Sequence, residues 1–245
     1  FAKISPHLGA NTILASNTSG LSINGLADCL PVAQQGNFCG IHFFNPPRYM
    51  SLVELIPTRG SDPAMLDALE TWLTQRLGKG IIRAKDTPNF IANRVGVFSM
   101  LAVMHHAEQF GLGFDVVDAL TGPKIGRPKS ATYRTADVVG LDTFAHVVNT
   151  MHTTLGDDPW YAYYQIPNWL KKLIAAGNLG QKTKCGVFRK EGKTTLVFDP
   201  KQGAEGEYRP SAADIAPEVA AMLQQRDPAA RFAALRACAH PQAQF

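Results

Sequence analysis

The sequence predicts an α/β layer followed by a mainly α half. Two observations carry this. Short β-branched and aromatic runs alternate with helix-period segments up to about Asp86, and after Asp86-Thr87-Pro88 long helical patterns follow one another with hardly a strand between them. Alternation of the first kind describes the later part of a doubly wound sheet. The change of texture sets a boundary at Thr87-Pro88, dividing residues 1–87 from residues 88–245.

The elements follow in order. Residues 12–16 are β-prone and end in the polar turn Asn17-Thr18-Ser19-Gly20. Residues 22–30 carry apolar side chains at helical spacing behind a Ser22 or Asn24 cap. Two strand-length runs, 38–44 and 52–58, flank a segment whose Pro46-Pro47 pair excludes a helix. Asp62 caps a helix with Pro63 in its first position and a stripe of Met65, Leu66, Leu69, Trp72, Leu73 and Leu77. A short strand at 80–86 completes the α/β part. The second half has helical patterns at 90–112, 115–122, 142–155 and 167–177. A small hairpin near 185–199 and an Ala-rich helical tail at 211–239 follow.

Composition excludes several classes. With 45% hydrophobic and 18% charged residues, the chain has enough apolar surface to fold, so wholesale disorder is excluded. Its formal charge of +4 is scattered along the chain rather than gathered into runs, which argues against nucleic acid as a partner. No apolar run reaches the roughly 18 to 20 residues of a membrane span, and the start carries no signal or transit pattern, so the expectation is a cytoplasmic protein. Cys29, Cys39, Cys185 and Cys238 lack metal-ligand spacing and read as reduced thiols; no metal site is expected.

A dinucleotide-binding half-sheet places G-x-G-x-x-G between its first strand and helix, where the pyrophosphate meets bare backbone. The nearest approach here, at 111–116, follows a helix and lacks the third glycine. Polar residues do gather at run ends: Ser19, His42 and Asn93 converge if their strands are parallel neighbours, because ligands of open α/β sheets bind beyond the carboxyl ends of the strands. A histidine there can serve as a general base near neutral pH, with Glu54 on the next run holding its tautomer. Each also has a plain structural reading. His42 can be a packing residue, Ser19 a turn former, Asn93 a helix surface residue and Glu54 a solvent-facing acid on an edge strand. His105, His106, His146 and His152 lack the spacing for a shared metal and read as structural or exposed.

The segments SNTSGLSI, GIHFFNPP, LVELIPT, KDTPNFIANRV, VVGLDTF and GQKTKCGVFRK together resemble, in order and from about Asn11 to Lys190, the L-3-hydroxyacyl-CoA dehydrogenase family of fatty-acid β-oxidation. The resemblance implies a Rossmann-like NAD-binding domain, truncated in this chain, and a helical C-terminal domain for substrate binding and dimerisation, with acyl-CoA held between them. It implies oxidation of L-3-hydroxyacyl-CoA to 3-oxoacyl-CoA, with His42 of HFFNP as base and Glu54 of LVELI as its partner. By the same resemblance Ser19 and Asn93 contact the substrate, and Ser19, Asn45 and Lys182 contact NAD.

Residues 122–142 depart from compact family members, so Lys129 to Thr135 receive no role. That stretch resembles a subgroup of long bacterial β-oxidation proteins that also carry an enoyl-CoA hydratase module. The chain opens at Phe1 within what reads as a helix end, and the G-x-G-x-x-G unit would lie before it, so a fragment inactive by itself is expected. A homodimer is the expected assembly. Two other readings remain: a related dehydrogenase acting on a free hydroxy acid, and a non-catalytic oligomerisation or acyl-binding module.

Overall fold

The apolar runs of the first half pair into one four-stranded sheet. A computed structural model describes residues 1, 3–203 and 205–245. Packing divides them into one unit of Phe1–Gly96 with Thr153–Gly156 and another of Val97–His152 with Asp157–Phe245.

In the first unit the elements are β1 (Leu14–Ser16), α1 (Ile23–Ala27), α2 (Val32–Gln35), β2 (Phe38–Phe43), β3 (Leu52–Pro57), α3 (Pro63–Leu77) and β4 (Gly80–Arg83). The sheet order is β1-β2-β3-β4. β1–β2 and β3–β4 are parallel, so the strands that lead to Ser19 and carry His42 are the parallel neighbours expected, while β3, which carries Glu54, runs antiparallel to β2. The connection over 44–51 is shorter than the dozen or so residues that a parallel crossover requires.

Side chains alternate across the sheet. Cys39, Val53 and Leu55 join Met65, Leu66, Leu69 and Leu73 of α3 in one core, where each fully buried Leu or Met contributes about 1.5–3 kcal/mol. Phe38 and Ile56 join Ile23, Ala27, Leu30, Ala84 and Phe90 in the other. His42 and Glu54 fall on this second face by the same alternation. Gly40 lies between Phe38 and His42, and a Cβ there would come within 2.9 Å of the Ile23 side chain, so glycine is what lets α1 lie close to the sheet. Asp62 caps α3 by accepting from the Ala64 N–H at 2.9 Å. Trp72 and Leu77, expected in the buried stripe, are 52% and 45% exposed; they flank it, and only its centre meets the sheet.

Helix α4 (Ala92–Gln109) begins in the first unit. The second unit holds α5 (Phe114–Leu120), α6 (Tyr133–Val139) and α7 (Leu141–Thr154), whose last two residues belong to the first unit, and α8 (Asn168–Ala175). A three-stranded antiparallel sheet follows, β5 (Phe188–Glu191), β6 (Thr194–Asp199) and β7 (Glu207–Pro210), so the expected hairpin gains a third strand. The tail is broken at prolines into α9 (Pro217–Leu223), α10 (Pro228–Ala237) and α11 (Pro241–Gln244).

Two buried aspartates hold this unit together. Asp118 accepts from the N–H groups of Thr132, Tyr133 and Arg134, doing for α6 what a local cap does elsewhere. Asp137 accepts from Val187 and Phe188, fastening β5 to α6, and the backbone of Gly180 and the Gly186 position approach it too closely to admit a Cβ.

Candidate active site

The antiparallel register of β2 and β3 sets His42 directly opposite Glu54. Cross-strand partners have Cβ atoms only about 4.5–5.5 Å apart, so their side chains meet without any loop having to bring them together. His42 Nδ1 lies 2.7 Å from Glu54 Oε2, and both residues are buried, at 3% and 0% exposure.

A buried carboxylate needs more than one partner. Glu54 Oε1 accepts from the backbone N–H of Ile91 and of Ala92, each at 2.8 Å. These are donors at the start of α4, which the helix itself leaves unpaired and where negative charge is favoured. The chain turns them toward the sheet through two successive left-handed residues, Asn89 (φ 61°) and Phe90 (φ 52°). Asparagine tolerates that region; for Phe90 it costs about 1 kcal/mol or more, offset by a ring buried in the core of this face.

Burial works against ionisation of Glu54, but the His42 hydrogen bond and the Ala92 and Ile91 donors outweigh it and hold the carboxyl below its ordinary range. An ionised carboxylate only accepts, so the proton of a neutral imidazole is on Nδ1 and the lone pair on Nε2. Nε2 is 3.0 Å from Ser19 Oγ. The rings of Phe44 and Phe90 lie 4.6 and 5.6 Å from the imidazole and leave it little room to rotate.

The Ser19 turn is fixed from three sides. Thr18 Oγ1 accepts from the Leu21 N–H at 3.2 Å, and Asn17 Oδ1 accepts from the Phe43 N–H at 2.9 Å, pinning the turn to the end of β2. Asp86 accepts from Ser22 Oγ, the N–H groups of Ile23 and Asn24 and the Asn24 amide, at 2.8–2.9 Å. Asn93 Nδ2 reaches the Ser19 carbonyl at 3.5 Å, the outer limit of a hydrogen bond. The structure therefore brings His42 and Glu54, on the central strands β2 and β3, together with Ser19 and Asn93. Asn45 is exposed in the loop that follows β2. Lys182 belongs to the second unit, where Nζ donates to both carboxylate oxygens of Asp142 at 2.6 Å. Sequence reasoning missed the Ile91 and Ala92 donors, the two rings and the anchoring by Asn17 and Asp86; only the motifs SNTS and KDTPNF carried a trace of them.

Two family models match the chain: "3-hydroxyacyl-CoA dehydrogenase, NAD binding domain" over residues 1–87 and "3-hydroxyacyl-CoA dehydrogenase, C-terminal domain" over residues 90–190. The chain belongs to the 3-hydroxyacyl-CoA dehydrogenase family. A probable 3-hydroxyacyl-CoA dehydrogenase of Bacillus subtilis is 42% identical over 84% of this chain and 26% of its own length. A putative fatty acid oxidation complex trifunctional enzyme of Rickettsia prowazekii is 35% identical over 77% of this chain and 26% of its own length. The crystal structure of an (S)-3-hydroxybutyryl-CoA dehydrogenase from Ralstonia eutropha superposes with a TM-score of 0.67 at 32% identity, covering 77% of this chain and 64% of that one. The chain spans 26% of the Bacillus relative and 54% of a second curated relative, from Deinococcus radiodurans.

NAD is the cofactor of the domain matched over residues 1–87. Residues whose chemistry suits its nicotinamide end are present: a carboxamide asks for one donor and one acceptor, which the exposed Asn45 side chain offers, and Ser19 and His42 are polar groups within hydrogen-bond distance of each other. A glycine-rich turn for the pyrophosphate does not occur in this sequence.

Proposed function

We propose that the whole protein oxidises L-3-hydroxyacyl-CoA to 3-oxoacyl-CoA with NAD, and that His42 is the base. The observation that carries this reading is the buried His42–Glu54 pair with Nδ1 committed to the carboxylate and Nε2 open toward Ser19. When bound, NAD supplies the hydride acceptor. His42 Nε2 takes the proton of the substrate 3-hydroxyl as the C3–H bond gives up its electron pair, and Glu54 stabilises the imidazolium that results. Ser19 and Asn93 hydrogen-bond the substrate oxygens and fix their direction, where positioning alone supplies several kcal/mol of the barrier reduction. Asn45 and Ser19 orient the nicotinamide, with Lys182 as a further cofactor contact.

Four readings of the assembly accompany the reaction. Residues 1–87 end the NAD-binding domain and 88–245 form the substrate and dimerisation domain; the protein is a cytoplasmic homodimer; an enoyl-CoA hydratase module accompanies it; and the 245 residues alone turn over poorly for want of the glycine-rich turn. That a further catalytic module accompanies the dehydrogenase draws support from the Rickettsia relative, a putative fatty acid oxidation complex trifunctional enzyme.

Formation of NADH by the whole protein, followed with a 3-hydroxyacyl-CoA and with the corresponding free hydroxy acid, tests the reading. The thioester is expected to react faster by orders of magnitude. Preference for the free acid would move the protein to hydroxy-acid dehydrogenation, and no NADH from either would leave the non-catalytic acyl-binding module.

A further inference from the structure

Lys79 is a buried cation with no role in the chemistry above. It follows Gly78, whose left-handed conformation (φ 64°) ends α3 and returns the Lys79 N–H to the Leu73 carbonyl at 3.3 Å. The next residue, Gly80, donates to the Ser51 carbonyl at 2.9 Å as β4 starts. Between those fixed points the side chain turns inward, to 9% exposure, and Nζ donates to the carbonyl oxygens of Pro47 at 2.5 Å and Met50 at 2.6 Å. Lysine ordinarily keeps its head in water, and burying it is costly unless hydrogen bonds replace the lost hydration.

Both acceptors sit in the loop over 44–51 that joins β2 to β3. This loop is folded on itself, with the N–H groups of Tyr49 and Met50 both donating to the Pro46 carbonyl at 3.0 Å. It begins with Phe44, whose ring centroid lies 4.6 Å from that of His42, and with Asn45. Fixing the Pro47 and Met50 carbonyls therefore fixes the far end of the segment that packs on the base.

We propose that Lys79 is a positioning residue of this dehydrogenase, clamping the loop over 44–51 so that Phe44 and Asn45 keep their places beside His42. The inference rests on the dehydrogenase reading for its kinetic consequence, and on the two hydrogen bonds alone for its structural one. Lys79→Met keeps the length of the apolar stem and removes the donor.

In the whole protein the substitution is expected to raise KM for NAD about ten-fold or more, the loss of one or two hydrogen bonds' worth of order, with KM for 3-hydroxyacyl-CoA held within about two-fold. Amide exchange in 44–51 should accelerate while that of α3 stays protected. Lys79→Cys alkylated with 2-bromoethylamine rebuilds a lysine-like amine and should restore both readouts, with alkylated wild type as the control for the other cysteines. A fall in melting temperature with unchanged KM for NAD and unchanged exchange in 44–51 would reduce Lys79 to a stability residue and overturn the proposal. If wild-type protein forms no NADH at all, the dehydrogenase reading fails separately. Exchange in 44–51 then decides the clamp: faster exchange supports it and unchanged exchange rejects it.

Discussion

His42 has one ring nitrogen committed and the other available, and Glu54 decides which is which. Glu54→Gln tests this with almost no change in shape. The Ile91 and Ala92 N–H groups both need an oxygen, so the glutamine carbonyl stays with them and its NH2 faces Nδ1. Nδ1 must then accept, the imidazole proton moves to Nε2, and the base is in the wrong tautomer. Turnover is expected to fall about 10²- to 10⁴-fold with the fold retained, read from kcat and from the circular dichroism spectrum. The same carboxyl carries a pH signature. Its folded-state pKa is lowered below the ordinary 4.5, so the stability it contributes is present above 4.5 and lost as pH falls through the folded value. Denaturant unfolding should show the stability gap between wild type and Glu54→Gln shrinking on acidification below pH 4.5. At this scale the side-chain pair was legible from motifs, whereas the donors that ionise Glu54 were not. They are main-chain N–H groups, which any residue type but proline at 91 and 92 would provide.

Between elements, the close approach of α1 to the sheet sets where the Ser19 turn lies. A methyl at Gly40 would meet two Ile23 side-chain atoms at 2.9 Å and Ile56 Cβ at 3.1 Å. Gly40→Ala is expected to cost about 1–3 kcal/mol in urea unfolding, with part of it recovered by adding Ile23→Val, which makes room on the opposing side. Asp86→Ala strips four donors of their acceptor at the start of α1 and should destabilise by about 1.5–3 kcal/mol in the same assay. The elements themselves were largely legible, because capping residues and periodicity are local: Ser22 accepts from the Gly25 N–H and Asp62 begins α3 where expected. What escaped was relational. The 44–51 connection, too short for a parallel crossover, implies the antiparallel pairing of β2 and β3, but not the register that sets His42 opposite Glu54. The start of α6 gave no signal, since its cap comes from Asp118, fourteen residues before Thr132.

As a whole, the molecule joins an α/β unit holding the four candidate site residues to a mainly α unit stapled by buried aspartates. Fold class was legible because the switch from alternating runs to successive helices is a property of composition over long windows. Assembly was not, because nothing in one chain's periodicity states which surface meets a second copy. Sedimentation equilibrium of the whole protein is expected to give twice the monomer mass, and a monomer at micromolar concentration would remove the homodimer from the account. The measurement closest to the central claim is turnover of 3-hydroxyacyl-CoA by the whole protein carrying His42→Gln, with NAD and substrate binding measured on the same sample. The predicted result is a loss of kcat of about 10²-fold or more with dissociation constants close to wild type. A variant that binds both ligands and turns over at the wild-type rate would contradict the assignment of His42 as the base.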